Sequence, residues 1–322
     1  MSNGGIDEAK QRARPPSIVL TPGMPVAAAA THALQTGLAA LKFYEPAALQ
    51  GEIEGIHQFR VSVRRLRAAV ELFVPVLHAN RVQFYRADLP LVGHCAGAAR
   101  DGDVLQDLIR SNAKALDPMS ARALTPVYQA LADSRIAAMR ELSNFLQSKR
   151  YAKVCERLAS PLTRKFPPDA DLRRMAPRLI EPIIRICLRT GARLRPESPP
   201  TAFHRLRVRL KRLRYALEML DPPAGKHASK MIKRLRKMQD ELGEHQDSVN
   251  TGIWIRQFAR TQPPPETVLA AGALMQYVGE RRVKLAARAL HQWKKIEHSG
   301  ILIKVIGDFT ERSQLDEVPS AE

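Results

Sequence analysis

Two stretches of the chain, IHQFRVSVRRLRAAVELF at residues 56–73 and FHRLRVRLKRLRYALEML at residues 203–220, are copies of one pattern. At a constant offset of 147 positions, His57 aligns with His204 and Arg60 with Arg207. The other basic positions that align are Arg64 with Lys211, Arg65 with Arg212 and Arg67 with Arg214. A repeat at this spacing indicates that one structural unit occurs twice.

On a helical wheel, each copy separates into a basic stripe and an apolar arc beside it. Positions i, i+3, i+7 and i+10 fall in one sector at about 100° per residue. The stripes are His57, Arg60, Arg64 and Arg67 in the first copy and His204, Arg207, Lys211 and Arg214 in the second. The apolar arcs are Phe59, Val63, Leu66 and Val70, and Leu206, Leu210, Leu213 and Leu217. Cations that flank a core face are expected to point along a groove between helices.

A solvated basic face is the alternative interpretation of either stripe taken alone. Two observations count against it. The copies agree position by position, and like charges at i, i+4 destabilise a helix. A bound polyanion would offset that repulsion, so the repeated chemistry is interpreted as anion binding.

The composition also indicates an acidic partner. The chain has 322 residues, a net charge of +19 and a pI near 10.3, with 45% hydrophobic residues that can form a substantial core. Of the 51 basic residues 36 are arginine, whose planar guanidinium matches two phosphate oxygens at once. Nucleic acid, polyphosphate and an anionic membrane surface are the candidate partners.

The cysteines and the apolar segments predict a cytoplasmic protein. Cys95, Cys155 and Cys187 are far apart and lack metal-ligand spacing, so they are interpreted as free thiols in a reducing compartment. No apolar run reaches the length of a membrane span, and the N-terminus lacks the apolar region of a signal peptide.

Helical periodicity runs almost unbroken from about residue 25 to about residue 310, with no alternating β pattern. An all-α fold is therefore predicted. The polar residues 1–24 are expected to be a disordered tail and residues 311–322 an acidic, frayed tail. The two repeats are predicted at about 25–190 and 203–310, joined by the hinge RLRPESPPT.

A second repeated element follows each basic helix, with Gly97 and Asp101 in the first half matching Gly243 and Asp247 in the second. The glycines suggest close helix packing, and the aspartates are expected to cap a helix or pair with the basic stripe. Asp101 and Asp103 are candidate metal ligands, but the second copy keeps one carboxylate there. His94 and His245 are isolated histidines, so no metal is predicted.

The second half carries a further basic row at helical spacing, formed by Lys226, Lys230, Lys233, Arg234 and Lys237. A solvated helix face is again the alternative. The equivalent stretch of the first half, around 81–92, has far fewer cations. The second half is therefore predicted to bind anions more strongly.

The pattern His-x-x-Arg-x-x-x-[Arg/Lys]-Arg-Leu-Arg, present twice and followed each time by Gly-x-x-x-Asp, closely resembles the CHAD family (conserved histidine α-helical domain) over about residues 25–310. This resemblance implies two four-helix bundles related by pseudo-two-fold symmetry. It also implies a basic groove between them that binds inorganic polyphosphate, and association with polyphosphate granules. Many members carry a β-barrel domain marked by Glu-x-Glu-x-Lys. The nearest string here, at residues 52–56, lacks the Lys, so a stand-alone member is expected.

The predicted function is non-enzymatic binding of polyphosphate, without a cofactor or metal. No phosphate-binding loop, nucleophile elbow or zinc motif occurs, and the stripes contain no carboxylates to hold the divalent metal that phosphoryl transfer needs. His57 and His204 are expected to orient an arginine or contact phosphate. The predicted binding residues are His57, Arg60, Arg64, Arg65, Arg67, His204, Arg207, Lys211, Arg212, Arg214, Lys230, Lys233, Arg234 and Lys237.

Two alternatives stay open from the sequence. A nucleic-acid-backbone binder fits the charge, but only 5% of residues are aromatic, and the stripes offer no platform for stacking single-stranded bases. A scaffold that attaches to a granule surface and recruits granule proteins through the tails is the other alternative.

Overall fold

A computed structural model of the protein describes residue 15 and residues 17–114, 116–167 and 170–314. Within this part the helices are α1 (Val26–Leu49), α2 (Ile53–Leu72), α3 (Ala79–Ala113), α4 (Pro118–Ala123), α5 (Thr125–Leu146), α6 (Lys149–Ala159), α7 (Leu172–Ala192), α8 (Pro200–Met219), α9 (Asp221–Ala259), α10 (Pro265–His298) and α11 (Ile301–Gln314). α9 has a kink at Gly225. The described residues contain no β-strand, only two isolated bridges. The all-α prediction is confirmed.

The apolar arcs of both basic helices form the core, as the sequence pattern predicts. Phe59, Val63 and Leu66 of α2 are at most 1% exposed. In α8, Leu206, Leu210, Leu213 and Leu217 are fully buried. One continuous core contains residues of α1, α2, α3, α7, α8 and α9. Burial of these arcs fixes the rotation of each helix about its own axis. That rotation in turn fixes the direction in which the neighbouring basic stripe points.

The helices follow the same neighbour order in both halves. In the first half α1 contacts α2 and α2 contacts α3, and in the second α7 contacts α8 and α8 contacts α9. The two halves meet where α2 packs against α8. The pseudo-two-fold relation between two four-helix bundles stays a prediction. A smaller core, which includes Ile109, Leu131, Ile255 and Leu274, joins the distal parts of α3, α5, α9 and α10.

The ordered chain begins before residue 25, so the predicted tail of residues 1–24 is too long. Leu20 is fully buried, and the Met24 carbonyl accepts a hydrogen bond of 2.8 Å from the Leu172 N–H. Residues 1–14 and 16 of that predicted tail lie outside the described residues. The start of the predicted C-terminal tail, up to Gln314, belongs to α11, and its remainder is likewise outside the described residues.

A close contact between α7 and α10 leaves no room for a side chain at Gly191. A Cβ atom on Gly191 would lie 1.9 Å from the indole of Trp293, a side chain that is 1% exposed. We expect Gly191→Ala to destabilise the fold by about 1–3 kcal/mol, the range of overpacked cores. Thermal or urea unfolding checks this value.

The matched control is Gly272→Ala in α10, where an added Cβ meets no atom within 4 Å. That substitution is expected to stabilise the helix by about 0.5–1 kcal/mol, because alanine loses less backbone entropy than glycine. Equal stabilities of the two variants would contradict the packing at Gly191.

Candidate anion-binding groove

A cavity of about 860 Å³ lies between the two basic helices. α2 lines it with His57, Arg60, Arg64 and Arg65, and α8 lines it with His204, Arg207, Lys211 and Arg214. α3 and α9 form the remaining walls. The two copies of the basic stripe therefore face a single groove, because each helix buries its apolar arc in the shared core.

Two residues of the predicted set, Arg67 and Arg212, do not line this groove. They lie instead around Glu71, whose carboxylate is 4.0 Å from the Arg212 guanidinium and takes two hydrogen bonds from Arg86, at 3.0 and 2.9 Å. A stripe drawn on one isolated helix cannot show which neighbouring helix its last turn meets.

The further basic row of α9 also lies outside the groove. Lys230, Lys233 and Lys237 are exposed, and Arg234 donates a 2.9 Å hydrogen bond to Ser299 Oγ. α9 turns other positions to the cavity, among them Arg236, Asp240, Gly243 and Asp247. At about 100° per residue these positions lie about a quarter turn from the lysine row. For this row the solvated-face alternative describes the geometry.

The middle of the groove brings Arg64, Arg207 and Lys211 close together at partly buried positions. Burial, followed by the charges of Arg207 and Arg64, lowers the pKa of Lys211 to about 6. Burial is likewise the main cause of the lowered pKa values of Arg64 and Arg207. Among the described residues, no carboxylate lies within ion-pair distance of any of these three cations. The Nε atoms of Arg64 and Arg207 are buried without a hydrogen-bond partner.

An uncompensated buried charge costs free energy, and an anion in the groove would reduce that cost. Eight arginine and lysine side chains and five carboxylates line the cavity, which leaves a net positive wall. Several of the carboxylates are already engaged. Glu218 lies 3.1 Å from Arg236, and Glu244 lies 2.7 Å from Arg281.

The Gly-x-x-x-Asp element of the first half positions the first arginine of its stripe, and that of the second half lies beside the matching arginine. Arg60 donates hydrogen bonds to Asp101 Oδ1 at 2.8 Å and to the Gly97 carbonyl at 3.4 Å. In the second half a Cβ on Gly243 would lie 3.9 Å from the Arg207 guanidinium. Of the two roles predicted for Asp101, the pairing with the stripe is therefore the one observed.

Asp101 and Asp103, the candidate metal ligands, pair with arginines instead. Asp103 accepts a 2.6 Å hydrogen bond from Arg135 Nε and lies 3.8 Å from Arg100. Asp247 is half-buried, and burial raises its pKa, with the Arg207 charge opposing and Asp101 adding to the shift. Among the described residues no group of three His, Cys, Asp or Glu could hold a metal ion.

The two histidines sit differently at the groove wall. His204 Nδ1 lies 2.7 Å from Gln246 Oε1. Because that oxygen only accepts, Nδ1 carries the proton. The pKa of His57 is lowered, mainly by burial; Glu54 opposes the shift, and the charges of Arg64, Arg100 and Arg60 add to it.

Sequence reasoning missed several residues of the cavity wall. Arg100 of α3 lines it from within the Gly97–Asp101 element, and Arg236 and Gln246 of α9 line it too. Arg236 lies seven residues before Gly243 and Asp240 lies seven residues before Asp247, so each pair shares one face of α9. A helical wheel of α9 centred on Gly243 and Asp247 would therefore have identified Arg236 and Asp240. In the described part of the chain, no helix has both the length and the apolar character required to cross a bilayer.

The fold and the groove define a class, namely all-helical proteins with a cationic cavity between two central helices. A model of the CHAD domain matches residues 32–256, and the chain belongs to this family. The crystal structure of the CHAD domain from the plant Ricinus communis is similar at 25% identity, with a TM-score of 0.70, over 87% of this chain and 96% of that chain. PptA from Streptomyces chartreusis is similar in fold, with a TM-score of 0.69 at 20% identity, over 84% of this chain and 99% of its own. Among curated proteins none shows a significant match.

Proposed function

We propose that this protein binds inorganic polyphosphate in the groove without turning it over. The observation that carries the proposal is the pair of partly buried guanidinium groups of Arg64 and Arg207, which have buried, unpartnered Nε atoms and no carboxylate within ion-pair distance among the described residues. Lys211 lies beside them, and its lowered pKa lets it gain a proton when a polyanion binds. A flexible chain with a negative charge on every phosphate supplies the counter-charge along the whole groove. The link of the CHAD family to polyphosphate supports the same ligand.

The proposed binding would place the protein on polyphosphate granules and involves no turnover of the bound chain. The groove cations contact ground-state phosphate along its length, and no group is placed to favour one transition state over the bound chain. His57 and His204 then act as wall residues that contact phosphate, and His204 is oriented by Gln246.

Binding of a nucleic-acid backbone is the second candidate, favoured by the net charge of +19. The described groove wall offers one aromatic ring, that of Tyr215, which is 4% exposed. Stacking of bases is therefore not available there. Duplex binding through phosphates alone remains consistent with the geometry.

A competition experiment separates the two candidates. We expect long-chain polyphosphate to displace labelled polyphosphate at a lower total phosphate concentration than duplex DNA or RNA requires, because its charge is denser and no base must be accommodated. The logarithm of the affinity should fall linearly with the logarithm of salt concentration, as counterion release requires. Fluorescence anisotropy at physiological ionic strength provides the measurement.

If duplex DNA competes equally well per phosphate, the nucleic-acid candidate replaces the proposal. The same samples are assayed for orthophosphate with and without Mg²⁺ or Mn²⁺. Metal-dependent release by the purified protein would contradict the non-enzymatic part.

A further inference from the structure

α8 carries a second row of cations on the flank that faces away from the groove. Arg205, Arg209 and Arg212 follow each other at i, i+4 and i+7. At about 100° per residue, this row lies nearly opposite the stripe that contains Arg207 and Lys211. The helix therefore presents cations to two separate surfaces.

Two of these residues line a cavity of about 470 Å³ between α7 and α8. Arg189 and Arg193 reach it from the end of α7, and Arg205 and Arg209 reach it from α8. No carboxylate is among the lining residues. We call this cavity the flank site.

The four arginines of the flank site lack a counter-charge. Among the described residues, none of them lies within ion-pair distance of a carboxylate. Glu71 is near enough for Arg209 to lower its pKa, but hydrogen bonds from Arg86 already engage that carboxylate. The pairs Arg189–Arg193 and Arg205–Arg209 are both like charges at i, i+4, an arrangement that destabilises a helix.

Ordinary fold requirements do not explain this concentration of charge. The C-terminal dipole of α7 offsets part of the repulsion around Arg189 and Arg193, but Arg205 lies in the second turn of α8, where the dipole gives no such compensation. In the first copy of the repeat, Gln58 and Ser62 stand at the positions of Arg205 and Arg209. The repeated unit therefore folds without cations at these positions.

We propose that the flank site is a second anion-binding site and takes a short run of phosphates. This inference rests on the proposed function, since the ligand has the same chemistry as in the groove. Guanidinium groups from two helices bind phosphate oxygens in pairs. Arg189, Arg193 and Arg205 are exposed, so this site binds more weakly than the groove and is more sensitive to salt.

A second site changes what the protein does with a long chain. Two sites on opposite flanks of α8 hold two segments of polyphosphate, from one chain or from two. Linked binding events raise the overall affinity well above that of either site. A protein that holds two polyphosphate chains also cross-links them, and such cross-links would help to attach the protein to a granule.

The test uses tripolyphosphate as the probe, since it is too short to occupy both sites at once. Calorimetric titration of the full-length protein at low salt is expected to give two binding events per chain. The triple variant Arg189→Gln, Arg193→Gln and Arg205→Gln should lose the weaker event, with its affinity reduced at least tenfold, and keep the tighter one. The control variant Lys230→Gln, Lys233→Gln and Lys237→Gln removes the same charge from an exposed face of α9 and should keep both events.

Each outcome separates the flank site from the groove. If the flank variant titrates like the control, or if the wild type binds one tripolyphosphate and the flank variant still binds it, the flank site is overturned and the groove stands. If the wild type binds one tripolyphosphate and the flank variant binds none, the groove proposal fails and the flank site stands. If Arg64→Gln with Arg207→Gln leaves both events unchanged while the flank variant loses one, the groove proposal fails and the flank site stands. If the wild type binds none, both fail. Arg189, Arg193 and Arg205 are exposed and have no ion-pair partner among the described residues, so unfolding temperatures of the variants should stay at or above that of the wild type.

Discussion

Replacing Arg64 and Arg207 together by glutamine is expected to weaken polyphosphate binding by roughly a hundredfold to ten-thousandfold. Each side chain is partly buried in the groove, and its Nε atom is fully buried without a hydrogen-bond partner. A hydrogen bond to a charged group contributes about 1.5–3 kcal/mol, and about 1.4 kcal/mol corresponds to a factor of ten. The range assumes that the two losses add, and competition with labelled polyphosphate measures them.

The same double variant is expected to be at least as stable as the wild type when no ligand is present. Its two substitutions remove buried positive charge that lacks a carboxylate partner in the described chain, and glutamine keeps a polar side chain of similar reach. Lys230→Gln with Lys237→Gln removes the same formal charge from exposed positions, and should change binding less than threefold. A double variant that binds normally, or that loses binding only because it unfolds, would refute the assignment of these arginines.

Polyphosphate binding is also expected to weaken as the pH rises above about 6, the pKa of Lys211 in the free protein. Below that pH, Lys211 is already protonated and binding takes up no proton there. Above it, the bound polyanion raises the pKa of Lys211 and binding takes up a proton. Linkage then reduces the affinity by up to about tenfold per pH unit until the pKa in the complex is reached.

Calorimetry in two buffers of different ionisation enthalpy measures this proton uptake. Near pH 8 up to one proton should be taken up by the wild type and by Lys230→Met, whereas Lys211→Met should lose that proton. The groups that face Lys211 are arginines of both central helices, with Asp247 across the groove. His57, with its lowered pKa, adds uptake only at lower pH. Equal uptake by wild type and Lys211→Met at pH 8 would contradict the prediction.

The depressed pKa of Lys211 also determines how the stability of the unliganded fold changes with pH. The unfolded chain binds more protons than the folded one between about pH 6 and the ordinary lysine pKa. Stability from this group therefore rises with pH across that window and is constant below it. This is the opposite sign to that expected of a lysine in an ion pair.

Much of the site was predictable because it depends on helix periodicity. Once the apolar arc of α2 is buried, His57, Arg60 and Arg64 must lie at its edge, and the matched copy places His204, Arg207 and Lys211 likewise. Arg67 and Arg212 were assigned to the same surface because they share the pattern. In the fold they lie around Glu71 instead.

The lysine row of α9 shows more clearly what helix periodicity can and cannot predict. Its spacing is as regular as that of the stripes, but periodicity specifies only that Lys230, Lys233 and Lys237 share a face. Which face of α9 turns to α2 and α8 depends on how Met231, Leu235 and Met238 pack in the core. That packing leaves the lysines exposed and points Arg236 and Asp240 at the groove.

The amino-acid sequence by itself determined that the chain is helical and that one basic unit occurs twice, and it predicts an anionic partner, because periodicity, repetition and net charge are local or additive properties. The tertiary structure alone decided which cations meet, which of them lose their hydration, and that α8 presents arginines to a second cavity. Burial and the distance from each cation to a carboxylate depend on what neighbouring helices bring to the same place. The depressed pKa of Lys211 arises there, and no pattern along one helix encodes it.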